Sequence, residues 1–187
     1  MNRKKVLLLA WVTLLIFPLP VWGILYYFED FSISQLLQVE KIGIIEIGYG
    51  LQFGFVYAFF ASIILQAPIF KQLPLNLDKM ISSMKITRWD ALFISFCAGF
   101  GEEVLFRVGM QHYLGIIITS ILFVAIHGYL NPFNWRYSLY GVVVLPFVLL
   151  LSWGFESFGL WFAISAHFSY DAVLFWSHIK NVKAPNR

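Results

Sequence analysis

Apolar residues in this chain neither alternate strictly nor recur on a single helical face; they run unbroken for long stretches. Six runs of about 16–25 residues hold few or no charges, close to the length needed to cross a hydrocarbon core. They span Val6–Phe28, Ile42–Gln66, Trp89–Gln111, Leu114–Leu130, Ser138–Trp153 and Phe158–Ile179. A membrane barrel would show short alternating strands, so the pattern predicts an all-α polytopic transmembrane bundle of about six helices. Pro18 and Pro20 are expected to interrupt the first helix, and Gly50-x-x-x-Gly54 fits close helix packing in the second. Asn131-Pro132-Phe133-Asn134 reads as the turn that ends the fourth.

The polar connections orient the bundle. Arg3, Lys4 and Lys5 precede the first run. Lys71, Lys79, Lys85 and Arg88 fall between the second and third, Arg136 between the fourth and fifth, and Lys180, Lys183 and Arg187 after or at the end of the sixth. The intervening connections hold Glu29, Asp30, Glu40 and Glu156, with Lys41 the exception. Basic residues thus recur on alternate sides, which predicts both termini in the cytoplasm. The stretch Ala67–Arg88, broken by Pro68 and Pro74, is the longest polar connection, and Ile81–Ile86 is expected to lie at the interface. Val21-Trp22-Gly23 offers a signal-type cleavage site, but the run continues through Tyr26-Tyr27-Phe28, longer than a signal core, so a retained first helix is expected. One domain, residues 1–187, accounts for the pattern, with a core at 89–179.

Composition agrees. Of 187 residues, 60% are hydrophobic and 12% charged, with mean hydropathy +0.77, where soluble domains are nearer 45–50% and about 25%. The net charge of +3 sits in connections and gives no nucleic-acid signal. Cys97 is the only cysteine, which excludes an intramolecular disulfide. Trp11, Trp22, Trp89, Trp135, Trp153 and Trp176 fall mostly near helix ends, as an aromatic belt requires.

Against this background, Phe100-Gly-Glu-Glu-Val-Leu-Phe-Arg107 is anomalous. Each charge at a helix centre costs about 2.5–3.5 kcal/mol, so three unpaired ones would cost about 8–10 kcal/mol. Glu103 and Arg107 are four apart and share a helix face, which lets them pair. Glu102 points about 140° away from Arg107 and is free to face a cavity. Two more polar sites follow on other helices: Phe123-x-x-x-His127, and His167-x-x-x-Asp171. Intramembrane ionisable residues face the bundle interior and pair, so Glu102, His127, His167 and Asp171 are expected to converge. Such a set can activate water and move protons. Glu102, His127 and His167 could equally hold a divalent metal such as zinc.

In order, placement and residue types, Glu102-Glu103-x-x-x-Arg107, Phe123-x-x-x-His127 and His167-x-x-x-Asp171 resemble the CPBP (CAAX protease and bacteriocin-processing, or Abi) intramembrane proteases, over about Trp89–Ile179. The resemblance implies that Glu102 activates the attacking water with help from His127. It implies that His167 and Asp171 stabilise the oxyanion, and that Glu103, Arg107 and Phe123 support the site. Eukaryotic prenyl-protein members carry Asn where this chain has Asp171; an ionised aspartate accepts hydrogen bonds but cannot donate them. Asp171 would then orient His167, stay protonated or ligate a metal. Such enzymes cut prenylated carboxyl-terminal peptides, leader peptides or carboxyl-terminal sorting signals at the bilayer. The short loops point to a prokaryotic cytoplasmic membrane.

Other chemistries lack their motifs. There is no His-Glu-x-x-His, Gly-x-Gly-Asp or Gly-x-Ser-x-Gly. A small proton-coupled transporter would use the same buried groups, but no repeated halves are evident. A catalytically idle binding or immunity protein is the third reading. His112 reads as a loop residue, His178 as interfacial, Glu46 as snorkelling beside Lys41, and Asp90 as a helix cap.

Overall fold

In the computed structural model, the described residues are 2–71, 81, 83–131, 133 and 135–182. Lys79, Pro74, Pro132, Asn134, Lys183 and Arg187, and the side chains of Lys71, Arg136, His178 and Lys180, lie outside them. The chain forms α1 (Arg3–Ile16), α2 (Pro18–Glu29), α3 (Ile33–Leu36), a 3-10 turn (Val39–Lys41), α4 (Ile44–Leu65), α5 (Pro68–Lys71), α6 (Arg88–Glu103), a π-helical segment (Val104–Met110), α7 (Gln111–Ile126), α8 (Trp135–Phe158) and α9 (Leu160–Val182). Among the described residues there is no strand.

Among the described residues, four stretches are long and apolar enough to cross a membrane: Arg3–Glu29, Ile44–Leu65, Arg88–Ile126 and Ser138–Phe158. Their burial is inverted relative to a water-soluble protein. Tyr27, Phe28, Ile44 and Ile117 are exposed, while Glu103, Ser120, Ser152 and Arg107 are buried. Apolar surface outside and ionic groups inside are what a hydrocarbon solvent demands. α9, the sixth expected span, carries Ser165, His167, Ser169 and Asp171 and packs centrally against α4, α6 and α8.

Small residues let the backbones approach. A Cβ at Gly50 would overlap Ser165 Oγ and the Phe162 carbonyl, and one at Gly54 would overlap the Ala166 carbonyl. The Gly50-x-x-x-Gly54 pair is therefore the α4–α9 contact. Cys97 is fully buried in α6. The first span breaks at Phe17, and Pro18 takes the N1 position of α2, where its missing N–H is harmless.

Helix ends gather into two sets. Thr87 caps α6 in a reciprocal capping box with Asp90, and Arg3 grips the same carboxylate through Nε (2.7 Å) and Nη2 (2.9 Å). Arg88 lies 4.6 Å over the Trp176 ring at this end. Ile81 and Ile86, expected at the interface, are buried at this end with Val6, Ala91 and Ile179. At the other end, Glu29 meets His112 (3.0 Å) and Tyr113 (2.6 Å), and Gln38 Oε1 accepts from the Leu160 N–H at 2.9 Å. His112 is thus a helical residue of α7 with a carboxylate partner, not a loop residue. Glu46 folds back over Gly43 in the first turn of α4.

The fourth expected span is corrected. Gly115 has φ 72° and ψ 175°, and the helix folds back there. The Phe106 and Phe123 ring centroids are 4.8 Å apart, although 17 residues of straight helix would separate them by about 25 Å. The returning limb, residues 116–126, is about 16 Å long and covers about half of a hydrocarbon core about 30 Å thick. It stops at Ile126 rather than Leu130 because Gly128, at φ 79°, takes the left-handed capping position. The Asx turn at Asn131 is present, with Asn131 Oδ1 accepting from the Phe133 N–H at 2.9 Å, but it follows the helix end rather than making it.

Candidate functional site

The Gly115 hairpin determines which residues meet. Glu102 and His127 stand almost equally far along the chain from Gly115, as do Phe106 and Phe123, so each pair is brought nearly level. His127 Nε2 lies 3.6 Å from Glu102 Oε2, with the two side chains 34% and 15% exposed. A half-length returning limb places His127 at the depth of Glu102, which full-length spans would not do.

Phe123 holds His127 through two contacts. Its ring stacks on Phe123 with centroids 4.4 Å apart, and its Nδ1 lies 2.7 Å from the Phe123 carbonyl. A carbonyl only accepts, so Nδ1 carries the proton and Nε2 turns towards Glu102 with its lone pair in the neutral ring. The helical Phe-x-x-x-His spacing supplies both contacts.

Glu103 has the opposite surroundings. It is completely buried and accepts from Arg107 Nε at 2.7 Å, as four-residue spacing predicts. Its second oxygen, Oε1, lies 2.7 Å from His167 Nδ1 on α9. Glu103 is therefore more than the partner of Arg107: it joins the first motif to the third. His167 Nε2 lies 3.5 Å from Asp171 Oδ2, one turn along α9.

Sequence reasoning missed the groups behind Arg107. Arg107 Nη1 donates to Ser152 Oγ, which lies 3.0 Å from Ser120 Oγ and donates to the Val148 carbonyl at 2.8 Å. Gln111 Nε2 donates to the Ser152 carbonyl (3.2 Å) and to Glu156 Oε1 (2.7 Å). Serine and glutamine in apolar runs carry little hydropathy signal, so these partners become visible only when α7 and α8 are side by side. The π-helical segment lies between Glu103 and Gln111; its i→i+5 pattern, seen in the Gln111 N–H to Phe106 carbonyl bond, shifts the helical register there. Such segments recur at functional sites.

Glu102, Glu103, Arg107, Phe123, His127, His167 and Asp171 all line one cavity of about 330 Å³. Its remaining wall is mostly apolar and includes Leu65, Val144, Phe147 and Leu174. The arrangement sets a partly exposed carboxylate–imidazole pair, capable of taking a proton from water, beside a buried imidazole fixed between two carboxylates. Glu102, His127 and His167 were the candidate metal ligands. Among the described residues, no group of three His, Cys, Asp or Glu side chains is arranged to hold a metal ion. His167 Nδ1 is committed to Glu103 and His127 Nδ1 to a carbonyl, which leaves each Nε2 facing a carboxylate, Asp171 and Glu102 respectively.

A protein-family model described as type II CAAX prenyl endopeptidase Rce1-like matches residues 85–173. No curated protein and no solved structure matches the chain. The matched residues begin just before the α6 cap, end two residues after Asp171, and contain all three motifs. On that match and those motifs, residues 85–173 are similar to the CAAX proteases of the CPBP family.

Proposed function

We propose that this protein is an intramembrane endopeptidase that hydrolyses a peptide bond of a membrane-associated protein or peptide by glutamate-activated water. The observation that carries the reading is the Glu102–His127 pair, half-open to a cavity that also holds His167 and Asp171. Water entering that cavity meets Glu102 Oε2 and His127 Nε2. Glu102 takes one proton, and the hydroxide oxygen bonds to the scissile carbonyl carbon while the carbonyl electron pair moves onto oxygen. When the tetrahedral intermediate collapses, the pair returns, the C–N bond breaks, and the proton held by Glu102 passes to the leaving nitrogen.

His127 holds the water from Nε2, its ring direction set by Phe123. His167, anchored by Glu103, in its protonated form presents Nε2–H beside Asp171 towards the developing oxyanion. Asp171 orients that imidazole as an acceptor. Arg107 and Ser152 hold Glu103 in place.

The mostly apolar cavity suits aliphatic side chains near the cleavage site, in keeping with the CAAX-type peptides that the family's description names. A leader peptide or carboxyl-terminal sorting segment offers the same chemistry. We place the basic helix ends, with both termini, in the cytoplasm, in a prokaryotic cytoplasmic membrane. Full-length protein in detergent, incubated with internally quenched CAAX-type peptides with and without a prenyl group, tests the reading. Hydrolysis by wild type that is lost in Glu102→Gln is expected; hydrolysis retained in Glu102→Gln overturns the mechanism.

A further inference from the structure

The carboxylates and imidazoles around the cavity offer few free hydrogen-bond donors. As carboxylates, Glu102, Glu103 and Asp171 only accept. Arg107 Nε is spent on Glu103 and Nη1 on Ser152. His127 Nδ1 is spent on the Phe123 carbonyl and His167 Nδ1 on Glu103. A carbonyl that becomes an oxyanion gains most from several donors placed in advance, and His167 Nε2 alone would be a single donor already facing Asp171.

Tyr129 supplies a second. It lies two residues beyond His127 and lines the same cavity. Its place is set by the cap that ends α7: the Tyr129 N–H donates to the Val124 carbonyl (3.1 Å) and the Gly128 N–H to the Ala125 carbonyl (2.9 Å), with Gly128 left-handed. These are the two bonds of a Schellman motif, which fixes the residue after the glycine relative to the last helical turn. His127 and Tyr129 therefore hang from one rigid turn, with rings nearly parallel (8°) and centroids 6.4 Å apart. Gly141 lets the turn seat against α8, since a Cβ there would overlap the Tyr129 carbonyl.

The Tyr129 ring contacts His127 and Tyr140, and its hydroxyl makes no hydrogen bond among the described residues. The charges of Asp171 and Glu102 both act on that hydroxyl. Tyr170 also lines the cavity, but of these two carboxylates it senses Asp171, and its ring is stacked on Phe147 at 4.1 Å. Tyr129 is thus a phenol of the cavity wall carried on the same turn as His127.

We infer that Tyr129 is a catalytic residue whose hydroxyl donates a hydrogen bond to the scissile carbonyl oxygen and strengthens it as that oxygen becomes an oxyanion. This rests on the endopeptidase reading. Tyr129 keeps its proton throughout: the water proton travels through Glu102 to the leaving nitrogen, and the phenol only donates.

The test uses the full chain in detergent and the quenched peptide pair, prenylated and unprenylated. Tyr129→Phe keeps the ring and the cap and removes the donor. It should lower kcat about 100- to 1,000-fold, as loss of an oxyanion donor does, with KM unchanged. Incorporating 3-fluorotyrosine at position 129 acidifies the phenol without removing it, and should move the alkaline limb of the pH–kcat profile to lower pH. Wild-type kcat in Tyr129→Phe overturns the inference, as does an alkaline limb that fluorination leaves in place. Wild-type protein that cleaves neither peptide overturns the endopeptidase reading and this inference together, whereas cleavage by wild type with an unaffected Tyr129→Phe overturns this inference alone.

Discussion

Glu102 and Glu103 are neighbours in the chain with opposite surroundings. Glu103 is shut in, with one oxygen on Arg107 and the other on His167, both at 2.7 Å. Glu102 is partly exposed to the cavity and stands 3.6 Å from His127, short of a direct hydrogen bond. The closed side is saturated and holds three helices in register. The open side keeps unspent hydrogen-bonding capacity for a water. The contrast teaches that a membrane enzyme can meet the cost of burying charge with one carboxylate and leave its neighbour free for chemistry.

The comparison breaks most visibly on the closed side. Arg107→Ala leaves Glu103 buried without its cation, so it should destabilise the fold by about 3–5 kcal/mol and abolish activity with it. Thermal unfolding in detergent measures this, and an unchanged Tm would show that Glu103 does not depend on Arg107. Ser152→Ala removes the acceptor for Arg107 Nη1 and one partner of Ser120; a stability loss of about 1–3 kcal/mol is expected for the buried groups left unsatisfied. A weaker effect is expected from Phe123→Leu, which removes the ring beneath His127. Stability should fall by about 1 kcal/mol beyond the lost area, and kcat should fall more than KM rises, because the imidazole is no longer aimed. On the open side, Glu102→Gln is nearly isosteric and breaks no buried pair, so stability should stay within about 0.5 kcal/mol of wild type. A large loss there would mean that Glu102 is structural too.

Several of these features were legible in the chain. Four-residue spacing predicted the Glu103–Arg107 pair and the shared face of His167 and Asp171, and both are seen. Gly50 and Gly54 announced a close contact, and Asp90 a cap. Local periodicity suffices for these because each lies within one or two helical turns. It cannot reveal that His167 reaches Glu103 from 64 positions away or that Ser152 meets Arg107 from 45 away, since hydropathy says only that such residues are buried. The Leu114–Leu130 run looked like a full span because its composition is apolar. Gly115 and Gly128, both with positive φ, divide it into a reversal, a half-length limb and a capped turn. Glycine alone does not announce a positive φ, so the matched depths of Glu102 and His127 had to come from the fold. The same capped turn brings Tyr129 to the cavity, which the motif spacing did not indicate.

The most direct test of hydrolysis by glutamate-activated water compares membrane-fraction peptide termini from cells expressing wild type or Glu102→Gln at matched abundance. The account predicts new termini with wild type that vanish in Glu102→Gln, while the variant protein stays folded. The same termini in both strains would contradict it.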